Sequence, residues 1–129
     1  MLDRLDHLVL TVRDLDATCA FYQRVLGMEV VTFGEGRKAL VFGRQKINLH
    51  QAGHEFEPKA DRPTPGSADL CFVAAVPLSQ IITHLSISEV AILEGPVQRT
   101  GALGTMFSVY FRDPDLNLIE IASYLSDHN

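Results

Sequence analysis

Three ionisable side chains lie inside segments whose alternating pattern is typical of β-strands: His7, Asp69 and Glu120. In the run from Leu118 to Ala122, Glu120 shares one strand face with apolar neighbours, because successive side chains point to opposite faces. A buried carboxylate without a partner is costly, so Glu120 is expected to hold a metal, a cation or a proton. The alternative is that Glu120 lies on the solvated face of an edge strand.

An internal repeat of architecture places these side chains on corresponding strands. The pattern predicts a strand, a helix and three strands over residues 5–12, 16–26, 28–33, 38–42 and 46–50. The same order returns over residues 68–74, 77–85, 90–94, 106–111 and 117–124. We therefore predict an α+β fold in one domain, residues 1–129, with module one at about 1–52 and module two at about 67–126. The segment between them, about 53–66, lacks periodicity and is either a plain linker or a functional loop.

Superimposing the two halves places His7 opposite Asp69 and Asn48 opposite Glu120. If the two sheets share a cleft, the imidazole and the two carboxylates converge into a mixed nitrogen and oxygen ligand set. Such a set suits Ni, Mn, Zn, Co or Fe and leaves coordination positions open. His50 lies two residues past Asn48, on the same strand face, and is a further candidate ligand. Structural roles are the alternative: His7 could bond a backbone carbonyl, and Asp69 could cap a turn or pair with an arginine.

The composition favours a globular protein that acts on a small molecule. Hydrophobic residues make up 47% of the 129 residues, and the net charge of −5 gives no support for binding to nucleic acid or to an anionic membrane. No apolar run approaches the roughly 20 residues that a membrane span requires. The N-terminus lacks a signal-peptide pattern, and Cys19 and Cys71 form no CxxC motif. We therefore expect buried, reduced thiols in a cytoplasmic protein.

Basic residues near the predicted strand ends are candidates for binding an anionic substrate group. Most of them are expected to be solvated surface charges. Arg99 is the exception, because the glycine-bounded segment 95–101 is predicted to be a loop that could place its guanidinium beside an anion. The predicted substrate-binding residues are Arg99, Arg37 and Asn48.

Three segments of the chain resemble the vicinal oxygen chelate superfamily, which includes glyoxalase I, bleomycin-resistance proteins, fosfomycin-resistance thiol transferases and extradiol dioxygenases. These segments are DHLVLTVRDL at 6–15, FYQRVLGM at 21–28 and FRDPDLNLIE at 111–120. Residues 37–43, 45–50, 55–59, 65–69 and 94–101 are more closely similar to the glyoxalase domain-containing protein 5 group and its bacterial virulence-associated, lactoylglutathione lyase-like relatives. The resemblance covers essentially the whole chain.

This resemblance implies two βαβββ modules that form a curved, mixed-sheet cup around a divalent metal. The superfamily's four metal positions fall on His7, Asn48, Asp69 and Glu120. His7 and Glu120 match the superfamily, whereas Asp69 stands where histidine is usual and Asn48 stands where glyoxalase I has glutamate. Small members pair two chains, so we expect a two-fold homodimer in which His7 of one chain faces Asp69 and Glu120 of the other.

The resemblance implies three alternative functions. The first is a metal-dependent lyase or isomerase of the glyoxalase type, acting on a small vicinal-oxygen substrate such as a thiol adduct of methylglyoxal, with Glu120 moving the proton. The second is a non-catalytic protein that binds or sequesters a small molecule, as bleomycin-resistance proteins do. The third is an extradiol dioxygenase-like enzyme using Fe(II), which usually has two histidines and one carboxylate, a set from which Asp69 departs.

Overall fold

The computed structural model describes residues 1–125, and the chain divides into two compact units, Met1–Ala68 and a second unit that begins at Asp69. Each unit has the order strand, helix, strand, strand, strand, which confirms the predicted repeat. Each contributes one four-stranded mixed sheet and one helix, so the fold class is α+β, as predicted. Within residues 1–125, no helix is both long enough and apolar enough to cross a membrane.

The first unit contains β1 (His7–Val12), α1 (Leu15–Leu26), β2 (Glu29–Phe33), β3 (Arg37–Phe42) and β4 (Gln45–Gln51). Its strand order is β1-β4-β3-β2, with β1 parallel to β4 and the other pairs antiparallel. Helix α1 begins where the Asp14 carboxylate accepts a hydrogen bond from the Ala17 N–H at 3.0 Å. It ends at Gly27, whose positive φ of 67° suits a left-handed C-terminal residue.

The two faces of the first sheet differ in polarity. One face is mostly apolar with a buried centre, and α1 packs against this sheet; its buried members include Leu10, Val12, Leu40, Ile47 and Leu49. The opposite face carries the polar side chains of β4, because Lys46, Asn48 and His50 alternate with those apolar residues. His7 pairs with Lys46 in the parallel register of β1 and β4, so His7 also lies on the polar face.

The second unit repeats this arrangement with β5 (Asp69–Val73), α2 (Leu78–Ile87), β6 (Glu94–Gly101), β7 (Gly104–Arg112) and β8 (Leu118–Tyr124). Its strand order is β5-β8-β7-β6, with β5 parallel to β8. The core includes Leu85 of α2 and the apolar side of β7 and β8, namely Val109, Phe111, Ile119 and Ile121. Glu120 therefore points to the other face of the sheet, between two core isoleucines.

A buried turn sets the register of β7 and β8. Asp113 Oδ1 accepts hydrogen bonds from the N–H groups of Asp115 and Asn117, both at 2.9 Å, and its Oδ2 accepts from Asn117 Nδ2 at 2.8 Å. This is the turn chemistry expected from the Asp-Pro-Asp sequence. Because the turn fixes the start of β8, it also fixes which face of the sheet Glu120 occupies.

Two expectations from the sequence are wrong. The segment 90–94 was expected to be a strand and 95–101 a loop, whereas β6 runs from Glu94 to Gly101 and carries Arg99 on a strand. Cys71 was expected to be buried, but it is exposed, and Cys19 is only partly buried. Alternation explains the position of Cys71: it pairs with Glu120 across β5 and β8 and so lies on the polar face, away from the core.

Candidate functional site

A concave pocket of about 440 Å³ lies on the polar face of the second sheet. Its lining includes the predicted site residues Asp69, Glu120 and Arg99, together with Tyr110 and Glu94. These residues come from four strands, β5 to β8, and the register places Glu94 opposite Tyr110 and Tyr110 opposite Glu120. Three carboxylates therefore share this pocket with arginine side chains.

Within residues 1–125, one carboxylate oxygen of Glu120 has no hydrogen-bond donor. Its Oε2 atom is buried and has no hydrogen-bond partner in residues 1–125. A buried acceptor in this state carries a desolvation cost of about 1–3 kcal/mol, more if it is charged. The position therefore favours a bound cation or a proton donor from a ligand.

Arg99 and Tyr110 form a connected polar network beside Glu120. Arg99 Nε donates to the Tyr110 hydroxyl at 3.0 Å, and Arg99 Nη2 donates to Glu94 Oε1 at 3.1 Å. Desolvation and the nearby Glu120 carboxylate raise the pKa of Tyr110, although Arg99 opposes them. The phenol consequently keeps its proton at neutral pH. Its oxygen accepts from Arg99, and a hydrogen bond from the phenol to Glu120 also contributes to the raised pKa of Tyr110.

Cys71 lies next to Glu120 on the neighbouring strand. Partial desolvation of the thiol, followed by the charge and hydrogen-bonding capacity of Glu120, raises the pKa of Cys71 to about 11. The thiol therefore stays protonated at neutral pH and is a poor nucleophile, because the thiolate is the reactive form. In this environment Cys71 serves as a weak hydrogen-bond donor beside the carboxylate.

We expect Cys71 to react faster with iodoacetamide after Glu120→Gln. Removing the carboxylate lowers the pKa of Cys71, so more thiolate is present at pH 8, while the remaining desolvation keeps the reaction slower than that of a free thiol. The rate is measured by mass spectrometry on chelator-treated protein in a Cys19→Ser background. Equal rates with and without the carboxylate would contradict the assigned contact.

The polar face of the first sheet carries the other predicted site residues. His7 is exposed, and its Nδ1 lies 2.8 Å from Asp6 Oδ2. Because a carboxylate oxygen accepts, Nδ1–H is the donor in this contact, and Nε2 takes no part in it. The hydrogen bond from His7 is the main reason why the pKa of Asp6 is lowered, so Asp6 stays ionised as this acceptor.

Asn48 and His50 are both buried on this face, at 7% and 3% exposure. Asn48 Oδ1 and His50 Nε2 are buried atoms without a hydrogen-bond partner in the part of the chain that the structure describes. Burial, helped by the charge of Arg37, lowers the pKa of His50 despite the opposing Glu55 carboxylate. His50 is therefore a neutral imidazole at neutral pH, which is the form that binds ligands or metals.

The histidine and carboxylate side chains of the predicted site are of types that bind a divalent metal. Within the described residues, however, neither unit groups three or more His, Cys, Asp or Glu side chains closely enough to bind one. The second unit brings Asp69 and Glu120 into one pocket. His7 and His50 share a face of the first sheet, separated by Asn48. In the described part of the chain, Glu120 Oε2 and His50 Nε2 have no hydrogen-bond partner, and this pair of atoms fits a metal that accepts nitrogen and oxygen ligands. Convergence of His7, Asp69 and Glu120, with His50 nearby, stays a prediction.

Sequence reasoning missed Tyr110, Cys71 and Phe56 as site residues. Tyr110 lies two positions before Arg112 in a run that looks like an apolar core strand, and only the register with Glu120 identifies its face. Cys71 could have been found, since it lies two residues after Asp69 and therefore on the same face. Phe56 belongs to the segment between the modules, for which periodicity gives no information.

The chain belongs to the Glyoxalase/Bleomycin resistance protein/Dioxygenase superfamily, whose family model matches residues 4–121. It is 58% identical over 125 residues to virulence protein STM3117 of Salmonella typhimurium, covering 97% of this chain and 87% of that protein. The crystal structure of STM3117 matches with a TM-score of 0.96, covering 97% of this chain and 99% of that one. The chain is also 60% identical over 120 residues to the glyoxalase domain-containing protein RDO1 of Mycosarcoma maydis, covering 93% of this chain and 68% of that protein.

A more distant solved structure is the lactoylglutathione lyase of Agrobacterium tumefaciens. It is 27% identical and has a TM-score of 0.72, and the match covers 95% of this chain and 94% of that one. The superfamily assignment confirms the resemblance predicted from the sequence motifs. It also confirms the predicted glyoxalase-like fold.

Proposed function

We propose that the protein is a metal-dependent lyase or isomerase of the glyoxalase type. Its substrate would be a small molecule with two neighbouring oxygens, such as a thiol adduct of methylglyoxal. The observation that supports this most directly is the buried Glu120 Oε2, which has no partner in residues 1–125 and belongs to a pocket-lining residue. Such an oxygen is suited to contact a cation or to accept a proton from a substrate carbon.

In this proposal His7, Asp69 and Glu120 hold the metal, with His50 as a further candidate ligand. A bound divalent metal supplies Lewis-acid polarisation of a substrate oxygen. Glu120 takes a proton from one substrate carbon and returns it to the next, and its apolar neighbours Ile119 and Ile121 are buried in the core on the opposite face of the strand. The Tyr110 hydroxyl, held by Arg99 and close to Glu120, would transfer its hydrogen bond from Glu120 to a negative charge that develops on the substrate.

The test of this function is an activity panel on chelator-treated protein. The protein is reloaded with Ni, Mn, Zn, Co or Fe and supplied with adducts of methylglyoxal and several thiols, and loss of the adduct is followed by absorbance. We expect one or two of the metals to restore turnover. Stoichiometric metal binding without turnover of any adduct would reject the catalytic proposal.

A second candidate function is binding without turnover, and Asn48 is the observation that favours it. Its amide oxygen is neutral, buried and without a partner in the described chain, at a position where glyoxalase I has a glutamate. An amide oxygen is a weak metal ligand but a good hydrogen-bond acceptor for a ligand. Native mass spectrometry of protein purified without added metal separates the two candidates: a retained small molecule, with no turnover, supports sequestration.

We further predict a two-fold homodimer whose metal site draws on both chains. Metal binding and dimerisation would then be thermodynamically linked, so dilution should release metal and a chelator should weaken the dimer. Analytical ultracentrifugation over a concentration series, with metal content measured in each fraction, tests both directions. A monomer at micromolar concentration that retains its full metal content would show that one chain is sufficient.

A further inference from the structure

We propose that the first unit contains a binding site for small hydroxycarboxylates, formed by Arg37, Asn48 and His50 on the polar face of its sheet. The inference goes beyond the proposed function by assigning a further class of ligand to the chain, and it holds whether or not methylglyoxal adducts are turned over. Binding itself requires no chemistry at Glu120.

Arg37 supplies a cation whose only observed contacts in residues 1–125 are with aromatic rings. Its guanidinium carbon lies 5.1 Å from the centroid of Phe33 and 4.7 Å from the centroid of Phe56. No carboxylate or carbonyl in that part of the chain is within hydrogen-bonding or ion-pair distance of it. Ring faces attract the charge but accept no strong hydrogen bonds, so the guanidinium N–H groups remain available. A carboxylate matches these donors because two of them can reach its two oxygens.

Among the described residues, Asn48 Oδ1 and His50 Nε2 are buried polar atoms without hydrogen-bond partners on the sheet face that carries this cation. They are two residues apart on β4 and therefore share a face, and the register of β3 with β4 places Arg37 beside His50. Phe56 contacts both Arg37 and His50. Its ring centroid lies 5.5 Å from that of His50, and its ring also packs on the Arg37 guanidinium. The charge of Arg37 also contributes to the lowered pKa of His50, which is consistent with their proximity.

The chemistry of these groups defines the ligand. Arg37 requires an anion, and Lys46, whose Nζ lies 4.2 Å from the Phe33 centroid, adds positive charge to the same face. Asn48 Oδ1 can only accept, so it requires a donor such as a hydroxyl group. His50 Nε2 can accept from or donate to the same ligand, depending on which ring nitrogen carries a proton. A carboxylate with a hydroxyl on the adjacent carbon meets all three requirements, whereas a plain carboxylate leaves the amide oxygen unsatisfied.

The first experiment compares ligands on chelator-treated wild-type protein by ¹H–¹⁵N NMR titration. The probes are D- and L-lactate, propionate without the hydroxyl, propane-1,2-diol without the carboxylate, and inorganic phosphate. We expect at least one lactate enantiomer to bind most tightly and to shift the side-chain amide signals of Asn48, with propionate weaker and the diol without effect. Equal affinities for lactate and propionate, or tighter binding of phosphate, would overturn the assignment.

The second experiment uses substitutions with a matched control. Arg37→Met should weaken lactate binding by about tenfold or more, because a charge-assisted hydrogen bond is lost. Arg44→Met removes the same charge from an exposed arginine in the turn between β3 and β4, beyond the opposite end of β3, and should leave the affinity unchanged. Arg37→Lys keeps the positive charge and replaces Arg37→Met as the test variant if Arg37→Met fails to fold. Arg37→Lys should bind lactate more weakly than wild type, because lysine lacks the paired donors of the guanidinium.

Asn48→Leu gives a result that a purely structural role for Asn48 would not produce. It should abolish the preference for lactate over propionate while leaving the affinity for propionate within about twofold of wild type. Lactate binding unchanged in both Arg37→Met and Asn48→Leu would overturn the proposal. Lactate binding without turnover of any methylglyoxal adduct would reject the proposed function alone, and turnover without lactate binding would reject this site alone.

Discussion

Glu120→Gln is expected to abolish metal-dependent turnover while leaving the fold intact. Glutamine has nearly the same shape as glutamate, and the core contacts of β8 come from Ile119 and Ile121 on the other face of the strand. The substitution removes the negative charge at Oε2, the buried atom that has no partner in residues 1–125. The metal-free variant should therefore be at least as stable as the wild type, since a buried charge no longer has to be desolvated.

Thermal melts with and without metal measure both effects. Wild-type protein should show a rise in melting temperature on adding metal, because a ligand that binds only the folded state stabilises it. Glu120→Gln should show a much smaller rise. Glu29→Gln is the matched control, since Glu29 is an exposed strand glutamate on β2 and should respond as wild type. A metal-induced rise as large in Glu120→Gln as in the wild type would contradict a ligand role for Glu120.

The repeat of strand, helix and three strands was predictable because each element carries a local pattern. Asp14 and Gly27 mark the two ends of α1, and the Asp-Pro-Asp turn marks the start of β8. Strand β6 was misplaced for a physical reason. Its sequence, with Gly95, Pro96 and Gly101, resembles a loop, yet tertiary pairing with β7 makes it a strand with an irregular register after Glu94.

The candidate site was predictable only as far as strand faces could be inferred. The alternation rule placed Asp69 and Glu120 on one side of their strands, and the structure brings them into the same pocket. The Arg99–Tyr110 hydrogen bond was not predictable, because it depends on the position of β6. The contacts among Phe56, Arg37 and His50 were equally inaccessible, since nothing in the sequence specifies where a long loop folds back.

Gly95→Ala is expected to destabilise the second unit strongly. Gly95 has a φ of 111°, a conformation that alanine adopts only with strain. A Cβ atom at this position would collide with the backbone oxygen of Ser108 and would lie 3.0 Å from Val109 Cα. Both contacts are on β7, a central strand that cannot move without disturbing the core. The added strain and steric clash should cost about 2–4 kcal/mol of unfolding free energy, or a decrease of roughly 10 °C in melting temperature.

Gly104→Ala separates the two causes of this loss. Gly104 also has a positive φ, of 135°, but a Cβ atom there would have no neighbour within 4 Å. Gly104→Ala should therefore lose stability only through backbone strain. Its melting temperature should be well above that of Gly95→Ala. Because Glu94, which precedes Gly95, pairs with Arg99 and lies opposite Tyr110, the folded fraction of Gly95→Ala should also show a weakened Arg99–Tyr110 contact. Equal melting temperatures for the two variants would mean that β7 shifts to accommodate the added methyl group. The close approach of β6 and β7 would then not be the reason for glycine at position 95.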